Sequence, residues 1–575
     1  MLMILIQWCY MAALCFVTGF TVLVPFEKKG GYRVRHVTSC MMAGMLVIDV
    51  FAQYYSLFDG VGLWANLLML LAAVAAAVLL RRDMLQFLKE KKKQWRPLQM
   101  LVWAALFLLF AYGSSRGYMH YDTGLYHAQS IRWIEEYGVV PGLANLHSRF
   151  GYNSAAFALC AFFGGCGLTK YPMHCVAGFF ALVCAVKCTA LMDLPARKRV
   201  RLSDFLYIGC IFYLVAVFRE LVSPASDYFA MLILFFVVMT WIELLEQKEK
   251  RILPYALLSE YLVYAATVKL SSAALLVLVL YPAVMLLKEK KWAQIGGYLA
   301  LGVIIAFPYL ARNVIISGWL FYPFTFFDIF DVDWKISKGY ADSDAAEIQV
   351  YAKEIFDVYQ KDRPFMQWFP NWLSVQNALD RVLVLTGWLA VPTGIVLMAI
   401  SALRTLRGKQ EALPFMVLQT AALSGFLFWQ FGAPLVRYGY FYVLCLPLVT
   451  FGILYLKFFS AKDVPAQNAE YRLRRKQKGF WLFGVILVAF LCYRGYNLVN
   501  MVLEFGKEPY YVWQQDYGTF EAETYEVDGV TIYVPKERGQ IGYDKFPSSP
   551  IVQDIELRDG ENMESGFRKK ESEIR

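Results

Sequence analysis

The chain has 575 residues, of which 58% are hydrophobic, 17% aromatic and only 18% charged. Apolar runs close to twenty residues recur along its length, which excludes a disordered protein or an ordinary soluble enzyme and points to a polytopic α-helical membrane protein. The formal charge of +10 would suit a nucleic-acid partner, but the cations sit in short loops between apolar runs, as the positive-inside rule asks, so no nucleic acid is expected.

Residues 2–25 are apolar for too long to be a signal peptide, lack a basic leader and end in Glu27, Lys28 and Lys29, so they read as a first span. Spans follow at 37–58, 61–80 and 98–115. The loop 81–97 carries Arg81, Arg82, Lys89, Lys91, Lys92, Lys93 and Arg96 and is expected on the cytoplasmic side, which places the N-terminus and residues 116–150 outside. A crossing at 170–192 leads to the next basic loop, Arg197, Lys198, Arg199 and Arg201. Further spans are expected at 203–220, 228–246, 252–268, 271–287, 293–311, 378–402, 412–431, 438–459 and 479–500, fourteen in all, with a long external loop at 312–377. The last 75 residues are then external too: TYEVDGVTIYV reads as a hairpin about Asp528-Gly529, GYDKFPSSP as a rigid turn and IELRDG as another strand. The eleven cysteines include no CxxC pair and lie mostly in apolar runs, as buried hydrophobes do; a disulfide among Cys160, Cys166 and Cys175 stays open.

The densest polar stretch is RGYMHYDTGLYHAQSIRWIEEYGVVPGLANLHSRFGYN, residues 116–153, an island between apolar segments. It holds His120, Asp122, His127, Asn145, His147 and Arg149. Leu125, Ala128, Ile131, Ile134 and Tyr137 predict a helix over 123–137, capped by Asp122 and ended by Gly138. The apolar stretch 153–166 is too short to cross and predicts a second helix half sunk in the outer surface. Asp227, Lys269, Arg312 and Arg437 fall on the same side. Cations at one membrane depth complement an anionic group at headgroup level, and a carboxylate facing them is equipped to act as general base toward an acceptor hydroxyl. His120, Asp122 and His127 leave a divalent metal open, although their spacing is not diagnostic. The plainer readings are a helix cap for Asp122, helix anchors for the cations, and solvated faces for Glu135, Glu136 and the acidic residues of 328–354.

The Asp-bearing first loop, a second Asp at 227, RNVIISGWLFYPF and the late APLVRYG resemble the GT-C superfamily of polytopic glycosyltransferases, over roughly residues 98–450. HYDTGLYHAQSIRWIEEYGVVPGLANLHSRFGYNSAAF and GYDKFPSSP also resemble a group of bacterial membrane proteins associated with that superfamily. The resemblance implies an all-α, GT-C-like transmembrane core (98–500), preceded by extra spans and a basic loop (1–97) and followed by a small external β or α+β appendage (501–575). It implies sugar transfer from a polyprenyl-phosphate donor to a glycan or other external acceptor at a bacterial plasma membrane, with Asp122 as base, Asp227 as the acidic residue of the second loop, and Arg312 and Arg437 on the carrier-phosphate side. His120, His127, Asn145, His147, Arg149 and Lys269 complete the expected substrate-binding set. Asp122 is followed by Thr123 rather than by a second acidic residue, which departs from the superfamily pattern. A lipid-linked glycan polymerase or O-antigen ligase would share an arginine-rich external site. A flippase or secondary transporter has a similar span count, but the chain shows no internal repeat.

Overall fold

A computed structural model describes residues 1–31, 34, 36–165, 172–460, 469–507, 510–537, 539–560 and 562–570. The first helices are α1 (Leu2–Gly30), α2 (Val37–Tyr55), α3 (Leu63–Leu79), α4 (Arg81–Gln94) and α5 (Pro97–Ser115). The island follows as a five-residue π-helix (Thr123–His127) running into α6 (Ala128–Tyr137), then α7 (Leu143–Leu146), a 3₁₀ turn (Ser148–Tyr152) and α8 (Ala155–Phe162). The bundle continues with α9 (Val176–Cys188), α10 (Leu194–Arg197), α11 (Leu202–Ala216), α12 (Ser226–Glu246), α13 (Leu253–Val268), α14 (Leu280–Lys288) and α15 (Trp292–Ser317). After α16 (Lys338–Ala352) and α17 (Phe365–Val375) come α18 (Ala378–Leu406), α19 (Leu413–Phe431), α20 (Val436–Ser460) and α21 (Ala469–Phe505).

Among the described residues eleven helices are long and apolar enough to cross a membrane, and twelve if the pair α3 and α4, bent by 79°, counts as one span. The chain is thus a multi-pass membrane protein, with fewer full-length spans than the fourteen expected. The difference lies in α3, α11 and α13, which have 17, 15 and 16 residues and fall short of a full bilayer crossing at 1.5 Å per residue. The expected span at 271–287 is among the eleven, as Leu270–Lys288, with its first part, Leu270–Val279, wound as a 3₁₀ helix before α14.

An all-round apolar helix belongs at the centre of a bundle, and α12 is that helix: nearly all of its side chains are buried, against α9, α11, α13 and α20. At the periphery α3, α18 and α21 turn Leu71, Leu389 and Val485 outward, as lipid-facing helices do. Small residues allow the closest approaches. A Cβ added at Gly19 would lie 1.9 Å from the Cys40 carbonyl oxygen, and one at Gly44 would lie 2.0 Å from that of Cys15, so α1 and α2 touch backbone to backbone.

The two ends of the bundle differ. At one end the basic segments meet one another: Lys28 pairs with Asp83 at 2.8 Å, Arg96 with Asp193 at 3.2 Å and Lys187 with Glu243 at 2.8 Å. At the other end Leu2 N donates to Tyr511 O at 2.8 Å, Gln515 N to Ser115 O at 2.8 Å and Tyr118 N to Arg219 O at 2.6 Å. We call these the basic face and the island face.

The C-terminal appendage is the expected mixture of short strands. β1 (Ala522–Val527) and β2 (Val530–Pro535) form an antiparallel hairpin about Asp528 and Gly529, both at positive φ, and β3 (Ile555–Leu557) pairs antiparallel with β4 (Phe567–Lys569). Two residues in the left-handed region are what a two-residue hairpin turn requires. Ile532, Ile555 and Phe567 pack against Trp133, Leu143 and Trp319 in a second core that fuses the appendage to the island.

One expectation about the island fails. The segment near 153–166 does not lie half sunk in a surface: α8 is buried along its whole length and packs on α2 and α6, because its apolar surface finds protein on every side. Cys160 and Cys175 carry free thiols, while Cys166 lies outside the described residues.

The Gly44 contact carries a prediction. Gly44→Ala forces α1 from α2 and is expected to cost about 1–3 kcal/mol, read as faster thermal inactivation in detergent. Gly296→Ala, where the new Cβ meets nothing within 4 Å, should leave the rate unchanged.

Candidate active site on the island face

The segment before the π-helix is laid directly on the α11–α12 connection. A Cβ at Gly117 would meet Arg219 O at 2.1 Å, and His120 N donates to Ser223 Oγ at 2.7 Å. This fixes Asp122 above the start of α12, which carries Asp227 in its first turn, where the helix dipole favours an anion. Asp122 makes no capping bond. Its Oδ2 instead accepts from Arg437 Nη2 at 3.1 Å, and its Oδ1 lies 3.7 Å from Arg149 Nη1. The expected cap is overridden because two guanidinium groups compete for the carboxylate and win.

Arg437, in the first turn of α20, serves both acids: its Nε lies 3.4 Å from Asp227 Oδ2. Asp227 also pairs with Lys269, whose ammonium sits 3.9 Å from the Tyr438 ring centroid at the break between α13 and the 3₁₀ segment. His120 Nδ1 accepts from Asp122 N at 3.1 Å and lies 3.2 Å from Arg437 Nη1. With donors on both sides, Nδ1 is the acceptor and the ring proton belongs on Nε2. Five segments thereby bring together Asp122, Asp227, His120, Arg149, Lys269 and Arg437. Three basic side chains face two carboxylates. The Asp122, Lys269 and Arg437 side chains are about one-fifth exposed, and Arg149 is 39% exposed at the rim, so the cluster is reachable.

Burial pushes the Asp122 carboxyl up, but His127 and His120, once protonated in acid, and the Arg437 and Arg149 guanidiniums at every pH outweigh it and hold the group below the usual carboxylate range. Burial, with Arg437 adding to it, pushes His120 down to about 4. Burial takes His127 to about 3, against the pull of Asp122. Both imidazoles are therefore neutral near pH 7, and the two guanidiniums keep Asp122 ionised.

The other expected site residues lie elsewhere. His127 is buried behind Asp122, with Nδ1 3.2 Å from Thr123 Oγ1. His147 caps the 3₁₀ turn through Arg149 N at 3.3 Å, and burial lowers it to about 3. Asn145 donates to Trp334 O at 2.8 Å and Phe567 O at 3.3 Å, a tie between loop and appendage rather than a ligand position. Arg312 does not join the cluster. Because α15 continues to Ser317 instead of ending at 311, Arg312 is a helix residue turned inward, 2% exposed, donating from Nε to Asn153 Oδ1 at 3.0 Å and from Nη1 to Ser56 Oγ.

Several residues around the cluster gave no signal of their role in the sequence. Gly124 O accepts from both Ile541 N (3.0 Å) and Gly542 N (2.9 Å). A carbonyl engaged by a foreign segment fits the local widening to a π-helix, a form that recurs at functional sites. Gln129 Nε2 reaches the carbonyls of Gly542, Tyr543 and Lys545 at 3.1, 3.3 and 3.0 Å, and Gln540 Nε2 donates to Tyr121 O at 2.6 Å. Residues 540–545 thus form a clasp across the back of the Asp122 turn. Glu135 is no solvated residue: it accepts from Tyr543 Oη at 2.5 Å and lies 2.9 Å from His174 Nε2. Asp344 likewise leaves the solvated acidic stretch, accepting from Tyr152 at 3.2 Å and Tyr322 at 3.0 Å.

Among the described residues no three His, Cys, Asp or Glu side chains converge as a metal site would require. A guanidinium already occupies the place between Asp122 and Asp227 that a divalent ion would take. The donor set does not fit such an ion.

The chain matches the family described as Domain of unknown function (DUF8201) over residues 1–444. No curated protein and no solved structure matches it. The matched region contains the whole charged cluster, and the clasp at 540–545 lies beyond it.

The buried imidazoles set a pH dependence. His120 and His127 are held below their ordinary 6.5, so on acidification the unfolded chain takes up protons first. Their contribution to stability is complete above about pH 6.5 and drains away toward pH 4, with Asp122 adding the same sign below its ordinary 3.8. Thermal inactivation in detergent should accelerate steadily from pH 6.5 to 4.5, and less steeply in His127→Asn. A flat profile in the wild type would mean that these rings are not held neutral.

Proposed function

The chain belongs to the DUF8201 family, and we propose that it is a GT-C type membrane glycosyltransferase moving a sugar from a polyprenyl-phosphate donor to an acceptor hydroxyl. The observation that carries this reading is Arg437 shared between Asp122 and Asp227, with Lys269 and Arg149 beside it, partly exposed on the island face. A phosphate on a lipid suits such cations, arginine by bidentate contact and lysine as a point charge.

In this mechanism Asp122 takes the proton of the acceptor hydroxyl while its oxygen attacks the anomeric carbon. The bond from that carbon to the carrier phosphate breaks, and the phosphate leaves with the electron pair, stabilised by Arg437 and Lys269. In the resting cluster Asp122 is a weak base because Arg437 and Arg149 hold it ionised. Donor phosphate competes for Arg437, and Asp122 gains basicity as the guanidinium turns to the phosphate, so donor binding precedes acceptor activation. Asp227 keeps Lys269 and Arg437 in place. With the basic face toward the cytoplasm, as the positive-inside rule asks, transfer takes place on the outer side of a bacterial plasma membrane, in cell-surface glycan assembly.

Reconstituted protein given lipid-linked sugar and acceptor tests the reading. Asp122→Asn keeps the size and removes the base, and transfer should fall about a hundredfold or more. Arg437→Ala should raise the donor requirement severely, and Arg437→Lys should restore it only in part, for want of the bidentate contact. A folded Asp122→Asn protein with near-normal transfer removes Asp122 as the base. Equal and mild effects of the two Arg437 changes reduce that residue to a helix anchor.

A further inference from the structure

The basic face carries a feature that the transfer reading does not use. Helix α4 leaves α3 at 79°, so if α3 crosses the bilayer, α4 lies near the plane of its surface. One side of α4 is fastened to the bundle: Met84 and Phe87 are buried against Phe16 and Phe20 of α1, and the Lys91 ammonium lies 5.2 Å from the Phe87 ring centroid. The other side is exposed and bears Arg81, Arg82, Lys89, Lys92 and Lys93, with the exposed Leu85 among them. Asp83, an acid of the same helix, is spent on Lys28. Among the described residues none of those five cations has a carboxylate within ion-pair distance. The helix also follows a lipid-facing one, since α3 exposes Trp64, Leu71 and Leu79.

We propose that the exposed side of α4 is a docking surface for anionic phospholipid headgroups in the leaflet at the basic face. Phosphodiester groups supply the charge that the five cations lack. The methylene stems of the lysines and Leu85 lie against the outer acyl region while the ammonium groups reach the phosphates, which is how amphipathic basic helices settle at an interface. A lipid surface fits better than a soluble acidic partner because the cations share their face with an exposed leucine and the helix sits at the bundle edge, where lipid is the neighbour. Attraction of this kind falls off within a Debye length and is weakened by salt.

The test uses the full chain reconstituted in phosphatidylcholine with an admixture of phosphatidylglycerol, then gently extracted, with retained lipid read by native mass spectrometry. Wild type should retain phosphatidylglycerol well above its share in the bilayer, and raised salt should remove the excess. Neutralising Lys89, Lys92 and Lys93 together to Gln should lower the excess by about fivefold per cation at most, and the same three changed to Arg should keep it. A control set on the island face, Lys338→Gln, Lys361→Gln and Arg363→Gln, should leave it intact. No excess in the wild type, an excess insensitive to salt, or equal loss in the α4 and control sets overturns the proposal. None of these readouts involves sugar transfer, so the outcome is independent of the catalytic reading.

Discussion

A guanidinium held between two carboxylates in a half-buried setting stays there only if its backbone is fixed, because each side chain alone would rather be hydrated. For Arg437 the fixing is done by the α19–α20 turn. Trp429 donates from its indole to Leu435 O at 2.9 Å, and a Cβ at Gly439 would come within 2.2 Å of that indole. The two helices are therefore locked at the point where Arg437 emerges. The planar fork then reaches Asp122 on the island and Asp227 on the central helix together, which a lysine ammonium is less suited to do. Removing it would leave Asp122 only the distant Arg149 and the neutral His120.

A second buried cation shows the contrast. Arg312 sits among neutral oxygen atoms of Asn153 and Ser56, close to the fully buried Asp49, which accepts from Tyr264 Oη at 2.7 Å. Both arginines fall near helix ends in the sequence and look alike there. One faces a reachable cluster and the other a sealed network that ties α2, α15 and the island together. That division separates a reachable charged cluster from a sealed one at the same end of the bundle.

Much of the fold is legible in the sequence because its signals are local. Apolar runs mark most helices, cations gather at one end, and Asp528-Gly529 announces its hairpin. The site is legible in part: Asp122, Asp227, Lys269 and Arg437 stand out as charges at the ends of apolar runs, and they do meet. What escapes is set by distant contacts. The π-helix fits the engagement of Gly124 by residues 541 and 542, and Gln129 finds its carbonyl partner 413 residues further on. No window of sequence carries such information. Arg312 escapes for another reason: a few residues of error in a helix end decide whether a side chain lies in a loop or points inward. The short α8 carries no charge to say whether lipid or protein covers it, and only the packing of α2 and α6 decides.

The clasp at 540–545 bears on how the protein is made. The turn that presents Asp122 is held from behind by residues that leave the ribosome after every helix of the bundle, α21 included. While the chain is still being inserted, that turn lacks its fastening and the charged cluster lacks its final shape, so a nascent or prematurely ended chain carries the acidic residue without the geometry around it. The turn thus gains its last fastenings late in biogenesis, once the appendage has folded back on the island.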